Sequence, residues 1–181
     1  MISTDQGTDL DALHQAILDS LANQFPQLKT VADYPDDRKR IQVPAALLEM
    51  TELTPVQDEQ SGTEQVVVDA LFELRYIVGF RGSNQGRLIR RNVAAMAQHI
   101  HHQRWAHPIQ PAQLVVCEPD EFSPELDQYL VWRIEFTHQL FLGESVFIDD
   151  SALPEEVFVG VDPRTGPDWE DSYTRVTGGD E

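Results

Sequence analysis

Between Val66 and Phe80 every second residue is apolar: Val66, Val68, Ala70, Phe72, Leu74, Tyr76, Val78 and Phe80. Side chains alternate between faces along a strand, so one face of this segment is apolar from end to end. Gln65, Asp69, Glu73 and Arg75 lie among the intervening residues. A strand of this length would run about 50 Å, well beyond an ordinary one, and must bend or project as part of a long hairpin. Burying these side chains contributes roughly 10–20 kcal/mol gross, before chain ordering offsets most of it.

The remaining elements are arranged around that strand. Leu10, Leu13, Ile17, Leu21 and Phe25 recur at three- and four-residue spacing, with Leu18 beside them. That stripe predicts a helix capped by Thr8 and ending before Pro26. Lys29 to Arg40 reads as a polar loop around Tyr34-Pro35-Asp36-Asp37. A strand over about Ala45–Leu53, with imperfect alternation, precedes a turn at Ser61-Gly62 and pairs with the long strand. After the glycine-punctuated loop Arg81–Gly86, Ile89, Val93, Met96, Ala97 and Ile100 mark a second helix. Gln113–Glu118 is a short strand. The last strand alternates Leu130, Trp132, Ile134, Phe136, His138 and Leu140 against Arg133, Glu135, Thr137 and Gln139. The expected fold is therefore α+β: a mostly antiparallel four-stranded sheet, ordered α-β-β-α-β-β, with two helices on one face.

Composition shifts after Gly143. Acidic residues, three prolines and several glycines fill the last stretch, with Val157-Phe158-Val159-Gly160-Val161 and Trp169 as apolar anchors. Two regions follow: an α+β domain over 1–142 and an acidic C-terminal arm over 143–181, a type of segment that orders most readily against a neighbour.

The formal net charge is −18 over 181 residues. Such a surface repels phosphate and is not expected to clamp nucleic acid, though an acidic wall would let a duplex pass without sticking. No run approaches the roughly 18 apolar residues of a membrane span. The start of the chain lacks the basic and apolar segments of a signal peptide, and the single Cys117 leaves no partner for an internal disulfide. These features point to synthesis in a reducing cytoplasm. The basic residues are unevenly placed: Arg75, Arg81, Arg87, Arg90, Arg91 and Arg104 crowd one stretch. Arginine is enriched at protein interfaces because its planar fork pairs well with carboxylates.

Three constellations could carry chemistry. Gly82-Ser83-Asn84-Gln85-Gly86-Arg87 lies between a strand and a helix, like a phosphate-binding loop. Its glycines are one residue too close for a P-loop, and Arg87-Leu88 stands where Lys-Ser/Thr is needed. His99, His101, His102 and His107 gather at a helix end, where the macrodipole favours them, without a carboxylate or cysteine to complete a metal site. The carboxylate pairs Asp36/Asp37, Asp120/Glu121 and Asp149/Asp150 read as solvated loops, and His138 as a satisfied core histidine. No enzymatic activity, cofactor or metal is expected.

The element order carries a resemblance. A helix over Leu10–Leu21, a hairpin ending in Val66–Phe80, a helix over Leu88–Ile100 and an aromatic strand over Leu130–Phe141 together resemble the tail terminator, or tail completion, proteins of long-tailed phages and phage-derived contractile particles. The likeness spans about residues 8–142 and rests on pattern rather than an invariant motif. Val159-Gly160-Val161-Asp162-Pro163 through Tyr173 is similar to the C-terminal arms of contractile-tail versions. The resemblance implies a homo-hexameric ring that caps the tail tube, ends its growth and meets the sheath and the neck or head–tail connector, with DNA only as cargo in the lumen. It implies a place in the virion, at the tail and neck, and no catalytic residues. Arg81, Arg87, Arg90 and Arg91 are the candidate subunit-interface residues. Val157, Phe158, Val159, Trp169 and Tyr173 are the candidate arm residues for the sheath or another partner. Two other readings remain open: a different neck or head–tail joining protein, and a small phosphate-binding enzyme using Gly82–Arg87.

Overall fold

The structure is a computed structural model and describes residues 7–34, 41–56, 62–80, 84–120, 129–146 and 157–176. The chain divides into two compact units, Met1–Phe147 and Ile148–Glu181. The first is α+β and runs α1 (Leu10–Gln24), β1 (Thr30–Asp33), β2 (Ala45–Pro55), β3 (Val66–Gly79), α2 (Gln85–Ile100), β4 (Gln113–Pro119) and β5 (Tyr129–Leu142). Its strands form one mixed sheet in the order β1-β2-β3-β5-β4.

The long alternating segment is the middle strand. β3 pairs with β5 in an unbroken antiparallel register from Val66↔Leu142 to Gly79↔Tyr129. Its even-numbered residues from Val68 to Val78 enter the core beneath the helices, together with Ile134, Phe136 and Leu140 of β5. Phe72 and Phe136 stack with centroids 5.4 Å apart. Truncating either to alanine would cost about 3–5 kcal/mol, the range for emptying a large aromatic site. The helices supply the expected stripes: Leu13, Ile17, Leu18 and Leu21 from α1, and Ile89, Val93, Met96, Ala97 and Ile100 from α2.

Several expectations are corrected. The sheet has five strands, not four, and it is mixed. Thr30–Asp33, read as loop, forms β1 and runs parallel to β2 with Thr30 opposite Ala45. Only Val31 and Ala32 of its four residues are apolar, so no period announces it. The cap of α1 is Asp9, whose Oδ1 accepts from the Ala12 N–H at 3.0 Å. Thr8 instead donates its N–H to the Phe141 carbonyl at 2.7 Å. It thereby covers part of the β5 edge that the shorter β4 leaves open. Gly7 lies so close to Gly143 that an added Cβ would meet its carbonyl at 2.6 Å.

The imperfect alternation of β2 has a physical cause. Its register shifts between Met50 and Glu52, a bulge at Thr51 that returns Leu53 to the core side opposite Ala70. Its first four residues are buried on both faces. On the side away from the helices, Ala45, Leu47, Ile77 and Val131 form a second small cluster under Tyr34 and Ile41. β4 carries a similar bulge between Leu114 and Val116, which leaves Val115 exposed while Leu114 and Cys117 stay against the core.

The second unit is a short antiparallel pair, β6 (Val157–Val159) with β7 (Thr174–Val176), joined through a 3-10 helix over Pro167–Ser172. No helix among the described residues is long and apolar enough to cross a membrane.

Candidate functional site

The sheet face away from the helices carries an ion-pair network that spans three strands and the end of a fourth. Arg75 on β3 donates from Nη1 to Glu49 Oε2 at 2.8 Å, from Nη2 to Glu73 Oε2 at 2.5 Å and from Nε to Asp120 Oδ2 at 3.2 Å. Its guanidinium also lies 4.2 Å from the centre of the Tyr34 ring. Neighbouring Arg133 donates from Nη2 to Glu118 Oε1 at 2.6 Å and reaches Glu73 Oε1 at 4.0 Å. Its Nε stands 2.9 Å from Glu135 Oε1, an ion-pair contact whose angle falls outside hydrogen-bond geometry. Burial opposes the charge on Arg75, but the Glu49 hydrogen bond and the charges of Glu73 and Glu49 outweigh it and push its pKa up. For Arg133 the Glu118 hydrogen bond dominates and acts in the same direction. Asp120, expected in a solvated loop, keeps only 9% of its side chain exposed against Arg75. Of the other residues in the carboxylate pairs, Asp36, Asp37, Glu121, Asp149 and Asp150 lie outside the described residues.

A second set of arginines sits on the other side of the sheet. Arg87, Arg90 and Arg91 all project from the first two turns of α2 and are exposed. Among the described residues none of the three has a carboxylate or aromatic partner. Their placement runs against helix electrostatics. The N-cap Asn84 is left-handed at φ 67° and makes no side-chain cap bond, and the first turn holds no acidic residue. Cations at the positive helix end cost about 0.3–1 kcal/mol each, and like charges at i,i+4 add a few tenths. Beside them lies an open groove of about 490 Å³, with Pro44, Val78 and Leu88 on its walls and Arg91 at its rim. Tyr76 lines it too; its hydroxyl accepts from Asn92 Nδ2 at 2.8 Å, and burial pushes its pKa up. Phe80, at the end of β3, is 65% exposed. Arg81 lies outside the described residues.

Of the chemistry-bearing candidates, His99, His138 and Cys117 pack into the fold. Gly82 and Ser83 lie outside the described residues. Gly86 has open space where a Cβ would stand, so no backbone approach requires a glycine there. His99 Nε2 is 2.9 Å from Ser20 Oγ, packs edge-on to Phe25 and Trp105, and is held below its ordinary pKa by burial. His102 falls beyond the helix end at φ 65°, its ring 3.9 Å from that of His101. No group of three metal-ligating side chains occurs among the described residues. His138 is fully buried; its Nε2 accepts from Trp105 Nε1 at 2.8 Å, which leaves Nδ1 to donate to the Gln110 carbonyl at 2.9 Å. Burial lowers its pKa more than the Gln110 bond raises it, so the ring is neutral. Cys117 is half-buried, and burial pushes its thiol up, away from thiolate reactivity.

In the second unit, Tyr173 is an internal strut. Its hydroxyl accepts from the Gly166 N–H at 2.6 Å, and its ring occupies the space beside Gly160, where a Cβ would meet it at 2.5 Å. Phe158, Val159 and Trp169 are exposed, as is Val161. The Arg164 guanidinium lies 5.9 Å from the Trp169 ring. Val157 contributes its backbone to β6, and its side chain is outside the description.

No protein-family model matches the chain, and no curated protein matches it significantly in sequence.

Proposed function

We propose that this chain is a structural ring subunit of the tail terminator type. In this reading, copies cap the tail tube of a phage or phage-like contractile particle, stop its growth and offer a surface to sheath and neck. The observation that carries the reading is the set of exposed arginines on α2, without a carboxylate partner among the described residues, in a chain of formal net charge −18. Cations left unpaired at an unfavourable helix end suit a surface whose carboxylates come from another subunit. The element order adds support, since the fifth strand extends the sheet at its edge without displacing the hairpins. The exposed Phe158, Val159 and Trp169 suit an arm that engages a sheath subunit. His99 and His138 are engaged in packing, and Glu73, Asp120 and Glu135 in ion pairs.

Negative-stain imaging of the purified chain, alone and mixed with tail tubes, tests this directly. Hexameric rings seated on tube ends are expected, and tubes grown without the protein should be overlong. Bare tube ends with the chain bound to portal or heads would instead identify a head–tail joining protein.

A further inference from the structure

We infer that the α2 arginine patch of one copy docks on the helix-free sheet face of a second copy, in a head-to-tail contact. This assignment rests on the ring reading and names both halves of its subunit contact.

The two surfaces belong to the same unit and lie on opposite sides of its sheet. α2 packs on the helix-covered side through Ile89, Val93, Met96 and Ile100, so Arg87, Arg90 and Arg91 face away from it. The other side is acidic. Glu49 and Glu118 keep 40% and 47% of their side chains exposed at the rim of the ion-pair network. Glu52 and Asp69 are exposed beyond it, on the same face, opposite Leu71 and Thr54. Among the described residues Arg75 and Arg133 are the basic residues there, and both are already committed to carboxylates. The face therefore carries surplus negative charge where α2 carries surplus positive charge.

Symmetry follows from that placement. Two copies meeting patch to patch would oppose arginines, and two meeting face to face would oppose carboxylates. Both isologous contacts are repulsive, which removes the two-fold dimer as a competitor. Only the heterologous pairing brings opposite charges together, and a heterologous contact that repeats closes into a ring or extends as a filament. General repulsion between copies of net charge −18 opposes contacts that lack such complementarity.

A charge-swap experiment on the full chain decides it, read by sedimentation velocity and negative stain. One variant carries Arg87→Glu, Arg90→Glu and Arg91→Glu; the other carries Glu52→Lys, Asp69→Lys and Glu118→Lys. Each alone should lose association by roughly tenfold or more per disrupted pair. An equimolar mixture of the two should assemble again, because each then presents the charge the other lacks; so should a single chain carrying both sets. Thermal melts check that the variants fold. Glu118 pairs with Arg133, so the Glu52→Lys, Asp69→Lys pair alone replaces the triple variant should that one prove unstable. Wild-type rings that survive either reversal, or two non-associating variants that fail to rescue each other, would overturn this contact and leave the ring reading standing. A wild-type chain that stays monomeric both alone and with tail tubes would overturn the ring reading itself.

Discussion

Two groups of arginines occupy opposite sides of one sheet and live in opposite circumstances. Arg75 is mostly buried and Arg133 partly so, and their carboxylates come from β2, β3, β5 and the end of β4. Arg87, Arg90 and Arg91 are exposed, crowded within two helical turns, and have no partner among the described residues. The residue type is the same, so the chemistry of the guanidinium does not decide its role. Its surroundings do: the first group is held among carboxylates inside the fold, and the second has none beside it among the described residues.

Removing a member of each group should separate them most sharply. Arg75→Met takes from Glu73 and Asp120, with 12% and 9% of their side chains exposed, the cation that lies within 3.2 Å of both, and Glu73 keeps the longer Arg133 contact at 4.0 Å. Breaking such a pair from one side costs about 3 kcal/mol or more, and urea denaturation should record that loss. A cost below that of an ordinary surface substitution, about 0.5 kcal/mol, would erase the distinction between the groups.

Acid supplies a perturbation that acts away from both groups, on buried imidazoles. His138 and His99 are held below their ordinary value of 6.5 by burial. The unfolded chain therefore binds protons more readily than the fold as pH drops below about 6.5, and the stabilisation present above that value is lost as pH falls. For His138 the cause is also geometric, because a proton on Nε2 would confront the Trp105 N–H that now donates to it. Thermal melts should fall between about pH 7 and about pH 5.5, and less so in His138→Gln. An unchanged melt would mean that these rings are not the neutral, buried groups described here.

The separation of the two groups was only partly legible in sequence. Arg75 stands in the same basic stretch as Arg87, Arg90 and Arg91, and nothing local marks it as different. Its partner Asp120 is 45 residues away, and Glu49 is 26; strand register alone brings them together. For the same reason Asp120 read as a solvated loop residue. β3, β5 and the helices were legible because each repeats its period over fourteen or more residues. β1 was not, because four residues with two apolar side chains hold no period and its strand character comes from lying along β2. The bulge in β2 blurred its alternation until the register explained it. Tyr173 reads from sequence as a partner-facing arm residue, and its internal role was not legible because its partner Gly166 is a backbone group.

Supplying the missing acid to α2 should convert the second group toward the first. Gly86 lies in the first turn with open space at its Cβ position, so Gly86→Glu enters without a clash. It replaces a poor helix former and places a carboxylate at the positive helix end beside Arg87 and Arg90. Together these should stabilise the unit by about 1 kcal/mol. The same carboxylate would occupy guanidinium surface otherwise open to another chain, so assembly should weaken while the melt rises. A gain in both would mean the arginines do not serve association.

The smallest effect is expected from Arg91→Ala. The side chain touches no carboxylate among the described residues, so only its stem on the groove wall and its repulsion from Arg87 are lost. Those two terms oppose each other, and the change in stability should stay within about 0.5 kcal/mol of zero. The value of the experiment lies in the contrast with Arg75→Met on the same denaturation curve. If Arg91→Ala proved as damaging as Arg75→Met, Arg91 would have a structural partner within the chain, and α2 would no longer present unpaired charge to a neighbour.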